Sequence, residues 1–283
     1  MSKIALVTDS TCSIPKDLVE KYEITVAPQI LIWGKESLED GVDIMPSEFY
    51  SRLAKASVMP STSQVTVSKF LEIYQRLLDQ DYQILTILVS SKLSGTVNSA
   101  VQAKSMLPPE ASIEIVDSNS IAMAMGFHLL TVARAIKQGA TLPECVALAQ
   151  KASGQTGVFF AVDTLEFLHR GGRIGGASRF LGTMLNFKPI LELRDGKVEA
   201  VERVRTRRKS LSRIVDLAVE QIGTRKPIRL ASLHANAPED AQIVLDEASE
   251  KLNPIETYFS EVSPVIGANA GPGVIGLVYM AGM

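Results

Sequence analysis

A chain of 283 residues with 46% apolar and 21% charged residues has the composition of a soluble globular protein, long enough for one large domain or two ordinary ones. Its formal net charge of −2 supplies no field that would draw nucleic acid or an anionic membrane. No apolar run approaches the roughly 18–20 residues of a membrane span, the opening residues lack a signal-peptide pattern, and two distant cysteines fit the reducing cytoplasm, the expected location.

Residues 4–8 predict a short apolar strand ending at Asp9-Ser10-Thr11, and 15–22 a short helix with Pro15 near its start. Residues 24–33 read as one strand bent at Pro28. After the turn-like Glu39-Asp40-Gly41, a helix begins near Pro46 with Phe49, Leu53 and Ala54 on one face. Pro60-Ser61-Thr62-Ser63-Gln64 reads as a loop of small hydroxyls, serving as a helix cap, a ligand contact or both. The recurrence of Phe70, Leu71, Tyr74, Leu77 and Leu78 makes 67–80 an amphipathic helix. Continuous β-branched and aliphatic residues at 84–89 predict a strand buried on both faces. It runs into Ser90-Ser91-Lys92-Leu93-Ser94-Gly95-Thr96 and then a helical pattern. A strand at 113–116 ends in Asp117-Ser118, and helices follow at 121–138 and 142–152.

This alternation is the rhythm of a doubly wound parallel sheet, assigned to a domain spanning residues 1–153. Right-handed crossovers bring Asp9-Ser10, Ser90-Ser91 and Asp117-Ser118 to one sheet edge, where ligands of open α/β sheets bind. A helix starting there favours a small anionic group held by neutral donors. From 154 to 283 the pattern changes. Strands at 189–193 and 198–203 flank Asp195-Gly196, a hairpin signal, and strands at 158–162, 228–234, 255–260 and 274–280 alternate with helices at 211–222 and 240–252. Hairpin plus crossover implies a second α/β domain with a mixed sheet, and the cleft between domains is the natural pocket.

Gly271-Pro272-Gly273-Val274-Ile275-Gly276 matches the dinucleotide fingerprint in letters only, because a strand follows it where a helix is required. Ser90, Ser91, Ser94 and Thr96 have no base nearby, so capping and binding of a polar head stand ahead of catalysis. The basic run from Arg203 to Lys209 is a solvated helix start, or it supplies one inward arginine to an anion. Arg170-Gly171-Gly172-Arg173-Ile174-Gly175-Gly176 is an anion nest or a hinge. His128, His169 and His234 are isolated, with no metal-ligand spacing.

In order, the chain carries TDS (Thr8-Asp9-Ser10), DGVDI (40–44), TSQ (62–64), SSxLSGT (90–96), VDS (116–118), LxxLxRGGRI (165–174), KPIL (188–191), VRT (204–206) and VIGxxxGPGxxG (265–276). This series resembles the DegV family of bacterial fatty-acid-binding proteins from end to end. The resemblance implies two α/β domains with a long-chain fatty acid, such as palmitate, stearate or oleate, between them. It implies no further cofactor and no chemistry by the chain alone; the expected state is a monomer. It places the carboxylate on Thr62 and Ser94. Ser63, Gly95, Thr96, Arg170, Arg205 and Asn269 complete the candidate ligand-binding set. In some members a separate ATP-dependent kinase phosphorylates the bound acid, with help from a basic residue at the VRT position and a histidine before GPG. Arg205 fits the first. Asn269 stands where the histidine is common; it can donate to a carboxylate but carries no charge, so the departure falls on phosphorylation rather than binding.

Burying about 14 methylenes at about 0.8 kcal/mol each yields roughly 11 kcal/mol gross, enough to offset desolvation of a hydrogen-bonded carboxylate. Met123, Met125, Phe159 and Phe160 are candidates for the tunnel wall, or for ordinary core. The alternative function is a phosphoryl- or acyl-transfer enzyme acting on a small anionic substrate, suggested by the glycine loops and Arg205. A nucleic-acid binder rests on residues 203–209 alone.

Overall fold

Two β-sheets from opposite halves of the chain face one buried helix, and a third, small sheet closes the space beside it. The computed structural model describes residues 3–182 and 187–283. The first half runs β1 (Lys3–Asp9), α1 (Lys16–Lys21), β2 (Thr25–Ala27), β3 (Ile30–Trp33), β4 (Glu36–Glu39), α2 (Pro46–Leu53), β5 (Ser61–Ser63), α3 (Val67–Leu78), β6 (Tyr82–Leu88), α4 (Thr96–Ser105), β7 (Ile113–Asp117), α5 (Ala122–Lys137) and α6 (Leu142–Ser153). The second runs β8 (Thr156–Ala161), α7 (Glu166–Arg170), β9 (Lys188–Arg194), β10 (Lys197–Val204), α8 (Arg207–Ile222), β11 (Ile228–His234), α9 (Pro238–Leu252), β12 (Glu256–Glu261), α10 (Pro264–Ala270) and β13 (Ile275–Ala281).

The first sheet is parallel, in the order β2-β1-β6-β7. Its central strands are buried on both faces, as their unbroken apolar runs require. Helices α3 and α4 cover one face through Phe70, Tyr74, Ala100 and Ala103. The second sheet is mixed, in the order β10-β9-β8-β13-β11-β12, with α8 and α9 on its outer face. Its inner face joins α5 and α6 in a core that reaches the first sheet. Helix α5 is buried almost all round from Ala122 to Ala133, which explains a pattern too apolar for one stripe. The architecture is the two-domain α/β fold with one parallel and one mixed sheet.

Three local features differ from or sharpen the expectations. The segment 24–33 is not one strand. Pro28 has no N–H for a ladder, and the Gln29 amide donates to Ser10 Oγ (3.1 Å). The chain therefore leaves the parallel sheet and enters a small antiparallel one, β4-β3-β5. Residues 61–63, read as a loop, are the third strand of that sheet, with Thr62 opposite Leu31. The β9–β10 hairpin turns at Asp195 and Gly196, whose φ values of +49° and +75° are those a tight two-residue turn demands. Its tip docks on the other half: Ser90 Oγ donates to the Gly196 carbonyl (2.9 Å) and Lys92 Nζ to that of Asp195 (2.6 Å).

Candidate functional site

An open-mouthed cavity lies where the carboxyl ends of β1 and β6 meet β5, α10 and the inner face of the mixed sheet. Alternation along β8 turns Val158 and Phe160 into it and sends Phe159 to the outer core with α8 and α9. Gly276 of β13 sits between Leu233 of β11 and Phe160 of β8 and leaves the floor open there. Helix α10 adds Val265, Ile266 and Asn269, and the start of α5 adds Ile121 and Ala122.

The polar lining gathers around Thr62, Ser94, Asn269 and Arg173. Asn269 Nδ2 donates to Thr62 Oγ1 (3.2 Å) and to the Val265 carbonyl (2.9 Å). Ser94 Oγ lies 2.8 Å from Thr96 Oγ1 and accepts weakly from the Thr96 amide (3.4 Å). With Thr96 donating, both hydroxyls have lone pairs occupied from behind, leaving the O–H bonds of Thr62 and Ser94 free to donate into the cavity. Arg173 Nε donates to the Leu93 carbonyl (3.0 Å) and Nη1 to that of Gly171 (2.5 Å). Among the described residues no carboxylate pairs with its guanidinium, so a cation stands at an apolar cavity without a counter-ion. Among the described residues the lining contains no Asp or Glu.

Two buried carboxylates hold this arrangement from behind. Asp9 accepts from the Val89 amide (2.8 Å), the Thr11 amide (3.0 Å), Thr11 Oγ1 (2.5 Å) and Gln29 Nε2 (3.2 Å). Thr11, Gln29 and Val89 all line the cavity. Asp40 accepts from Ser10 Oγ (2.6 Å) and from the Val265 amide at the start of α10 (3.3 Å), tying the two halves together beside the site. Burial raises the Asp40 carboxyl from 3.8 to about 6, against the pull of these donors. Burial also lowers His128, within α5, from 6.5 to about 4.

The two shifts give a testable pH dependence. A raised folded-state pKa means that the Asp40 contribution is fully present below about pH 4 and is lost as pH rises through about 6. A shift of this size corresponds to about 3 kcal/mol. His128 acts in the opposite sense: its contribution is present above about pH 6.5 and is lost as pH falls through about 4. The slopes oppose each other in the wild-type chain. Asp40→Asn removes one, so its urea midpoint should rise from pH 4 to 6.5 more steeply than that of the wild type. Parallel midpoint profiles would contradict this assignment.

The predicted site residues fall into three groups. Thr62, Ser63, Ser94 and Asn269 line the cavity. Gly95 and Thr96 stand just behind it. A Cβ at Gly95 would lie 2.8 Å from Gln64 Oε1, the mobile end of a side chain that itself lines the cavity, so a larger residue there would displace Gln64. Thr96 is fully buried against Ser94. The Ser94 amide, one of the backbone donors such a helix start offers, is taken by the Ser90 carbonyl (3.1 Å). Arg170 and Arg205 are outside the lining: Arg170 is exposed and paired with Glu166 at 2.5 Å, and Arg205 is exposed on the turn before α8. Sequence reasoning missed Arg173, three residues after Arg170, as well as Thr11 and Gln29. Of the wall candidates Phe160 lines the cavity, whereas Met123, Met125 and Phe159 are core.

The sequence model of the DegV family, described as a family of uncharacterised protein, matches residues 3–282. A DegV domain-containing protein of Streptomyces coelicolor is 36% identical over 277 residues, 97% of each chain. Protein DegV of Bacillus subtilis is 34% identical over 98% of each chain. Among solved structures, a DegV family protein of Thermus thermophilus, described as fatty acid binding, superposes with a TM-score of 0.93 at 32% identity over 99% of both chains. The Bacillus subtilis DegV structure, described as a fatty acid binding protein, gives 0.90 at 33% identity over 99% of this chain and 100% of that one. A family model matched over nearly the whole chain and relatives more than 30% identical along its full length agree with the fold: the chain belongs to the DegV family.

Proposed function

We propose that this chain binds a long-chain fatty acid, with its carboxylate on the hydroxyls of Thr62 and Ser94 and its acyl chain over the inner face of the mixed sheet. The observation that carries this reading is the pair of cavity-lining hydroxyls, Thr62 Oγ1 accepting from Asn269 Nδ2 and Ser94 Oγ hydrogen-bonded to Thr96 Oγ1; with Thr96 as donor, both can donate to an anion. Two O–H donors beside the uncountered guanidinium of Arg173 suit an anion. The apolar remainder of the lining suits an alkyl chain. The relatives described as fatty acid binding share this fold across the whole chain. The site offers donors and a hydrophobic wall, without a histidine, cysteine or carboxylate to act as base or nucleophile among its described lining residues. Presentation of the bound acid to a separate ATP-dependent kinase would proceed here with a non-titrating amide at Asn269.

Native mass spectrometry of the purified protein tests the reading. A stoichiometric adduct with the mass of a long-chain fatty acid is expected. A clean apo mass with no uptake of added hexadecanoic acid would refute it. The Thr62→Ala, Ser94→Ala double variant should bind hexadecanoic acid about 100-fold more weakly, since two charge-assisted hydrogen bonds of about 1.5 kcal/mol each are lost. Its thermal midpoint should stay within a few degrees of the wild type.

A further inference from the structure

Two residues, Val158 and Leu193, line the apolar cavity and also a second, polar cleft on its far side. That cleft is walled by Lys92, Asn119, Ser120, Thr156, Arg194 and Gln221. Three separate segments cross the border at the same place. Residue 121 faces the cavity and residue 120 the cleft; Val158 faces both and Thr156 only the cleft; Leu193 faces both and Arg194 only the cleft. Val158 and Leu193 are direct partners across β8 and β9, with Val278 and Val198 beside them in register. The partition is therefore one layer of aliphatic side chains, with charged and hydroxyl groups immediately behind it.

We infer that Val158 and Leu193 form the end-stop of the acyl site and make it select methyl-terminated chains over chains oxygenated at the ω end. This inference rests on the fatty acid reading above. The head-group donors cluster around Thr62, Ser94, Asn269 and Arg173, whereas the strand neighbours of the partition on this face are aliphatic. A terminal methyl meets Val158 and Leu193 at no cost. A terminal hydroxyl or carboxylate gives up its water there and finds no partner, although the polar groups that would satisfy it stand one side chain away. Thinning or polarising the partition connects the two spaces and removes the discrimination.

The test compares hexadecanoic acid, ω-hydroxyhexadecanoic acid and hexadecanedioic acid as competitors for one fluorescent acyl probe, on the full-length chain. The wild type is expected to prefer hexadecanoic acid by about tenfold or more over either ω-oxygenated acid. Leu193→Ala opens the partition, and the near-isosteric Val158→Thr polarises it while keeping a β-branched residue in the strand. Each should narrow the preference to within about threefold, with thermal unfolding confirming that the variants fold. Equal binding of the three acids by the wild type, or an unchanged preference in both folded variants, would overturn the end-stop alone. Failure of the wild type to bind any of the three would overturn the fatty acid reading together with it.

Discussion

Gly276→Leu is expected to abolish long-chain fatty acid binding while leaving the fold intact or slightly more stable. Gly276 lies in β13 opposite Leu233 and Phe160, and all three face the cavity. A Cβ at this position would meet Leu233 Cβ at 3.6 Å and nothing nearer, which is ordinary contact. Its φ is not in the left-handed region, so a side chain costs no backbone strain. A leucine there projects from the sheet into the space an acyl chain needs. Displacing about four to six methylenes at about 0.8 kcal/mol each removes about 3–5 kcal/mol, or roughly 100- to 4,000-fold in affinity. Glycine in a strand interior is disfavoured by about 0.5–1 kcal/mol, so the apo protein should unfold at the same temperature or higher. Gly276→Ala, which fills less of the space, should fall between. Titration with hexadecanoic acid beside a thermal melt decides the matter. Binding within threefold of wild type in a folded Gly276→Leu protein would mean that the acyl chain does not cross this floor.

The sequence disclosed the site unevenly, for reasons that lie in particular residues. Strands with continuous apolar runs, such as the one preceding Ser90, announce themselves because both faces are buried. The hydroxyl-rich segment at 61–63 did not read as a strand. Its pairing with β3 is set by the partner rather than by its own alternation, and Ser-Thr-Ser is as good a turn as a strand. Helix α10 is seven residues long and carries glycine, proline and asparagine, so no apolar period marks it, yet it brings Asn269 to Thr62. The choice between Arg170 and Arg173 was beyond sequence. Gly172 between them adopts a φ of +71°, and that turn leaves one arginine against Glu166 at the surface while the other reaches the Leu93 carbonyl. The TDS and DGVDI motifs were legible as polar ends of strands or turns. That their aspartates are buried braces becomes visible only when residues 80 and 225 positions away close on them.

Asp9→Ala should destabilise the protein by roughly 3–5 kcal/mol, more than any removal of a cavity hydroxyl, because it strands four donors. The carboxylate closes the end of β1, accepts across the sheet from Val89, and holds Thr11 and Gln29 in the cavity wall. An alanine leaves these groups facing one another without an acceptor in a site with no measurable exposure. Asp9→Asn is no remedy: its Nδ2 must face either the Val89 amide or the Thr11 and Gln29 donors, and a donor then opposes a donor. It should lose roughly 2 kcal/mol. Burial pushes the Asp9 carboxyl up and the four hydrogen bonds pull it down, with burial the larger effect. The Asp9 contribution is thus fully present below about pH 4 and declines as pH rises through the folded-state value. The stability gap between wild type and Asp9→Ala should accordingly be wider at pH 4 than at pH 7. Urea unfolding at the two pH values measures it. A gap that grows toward neutral pH would show that the four donors outweigh burial and that Asp9 is a stabilising anion rather than a tolerated one.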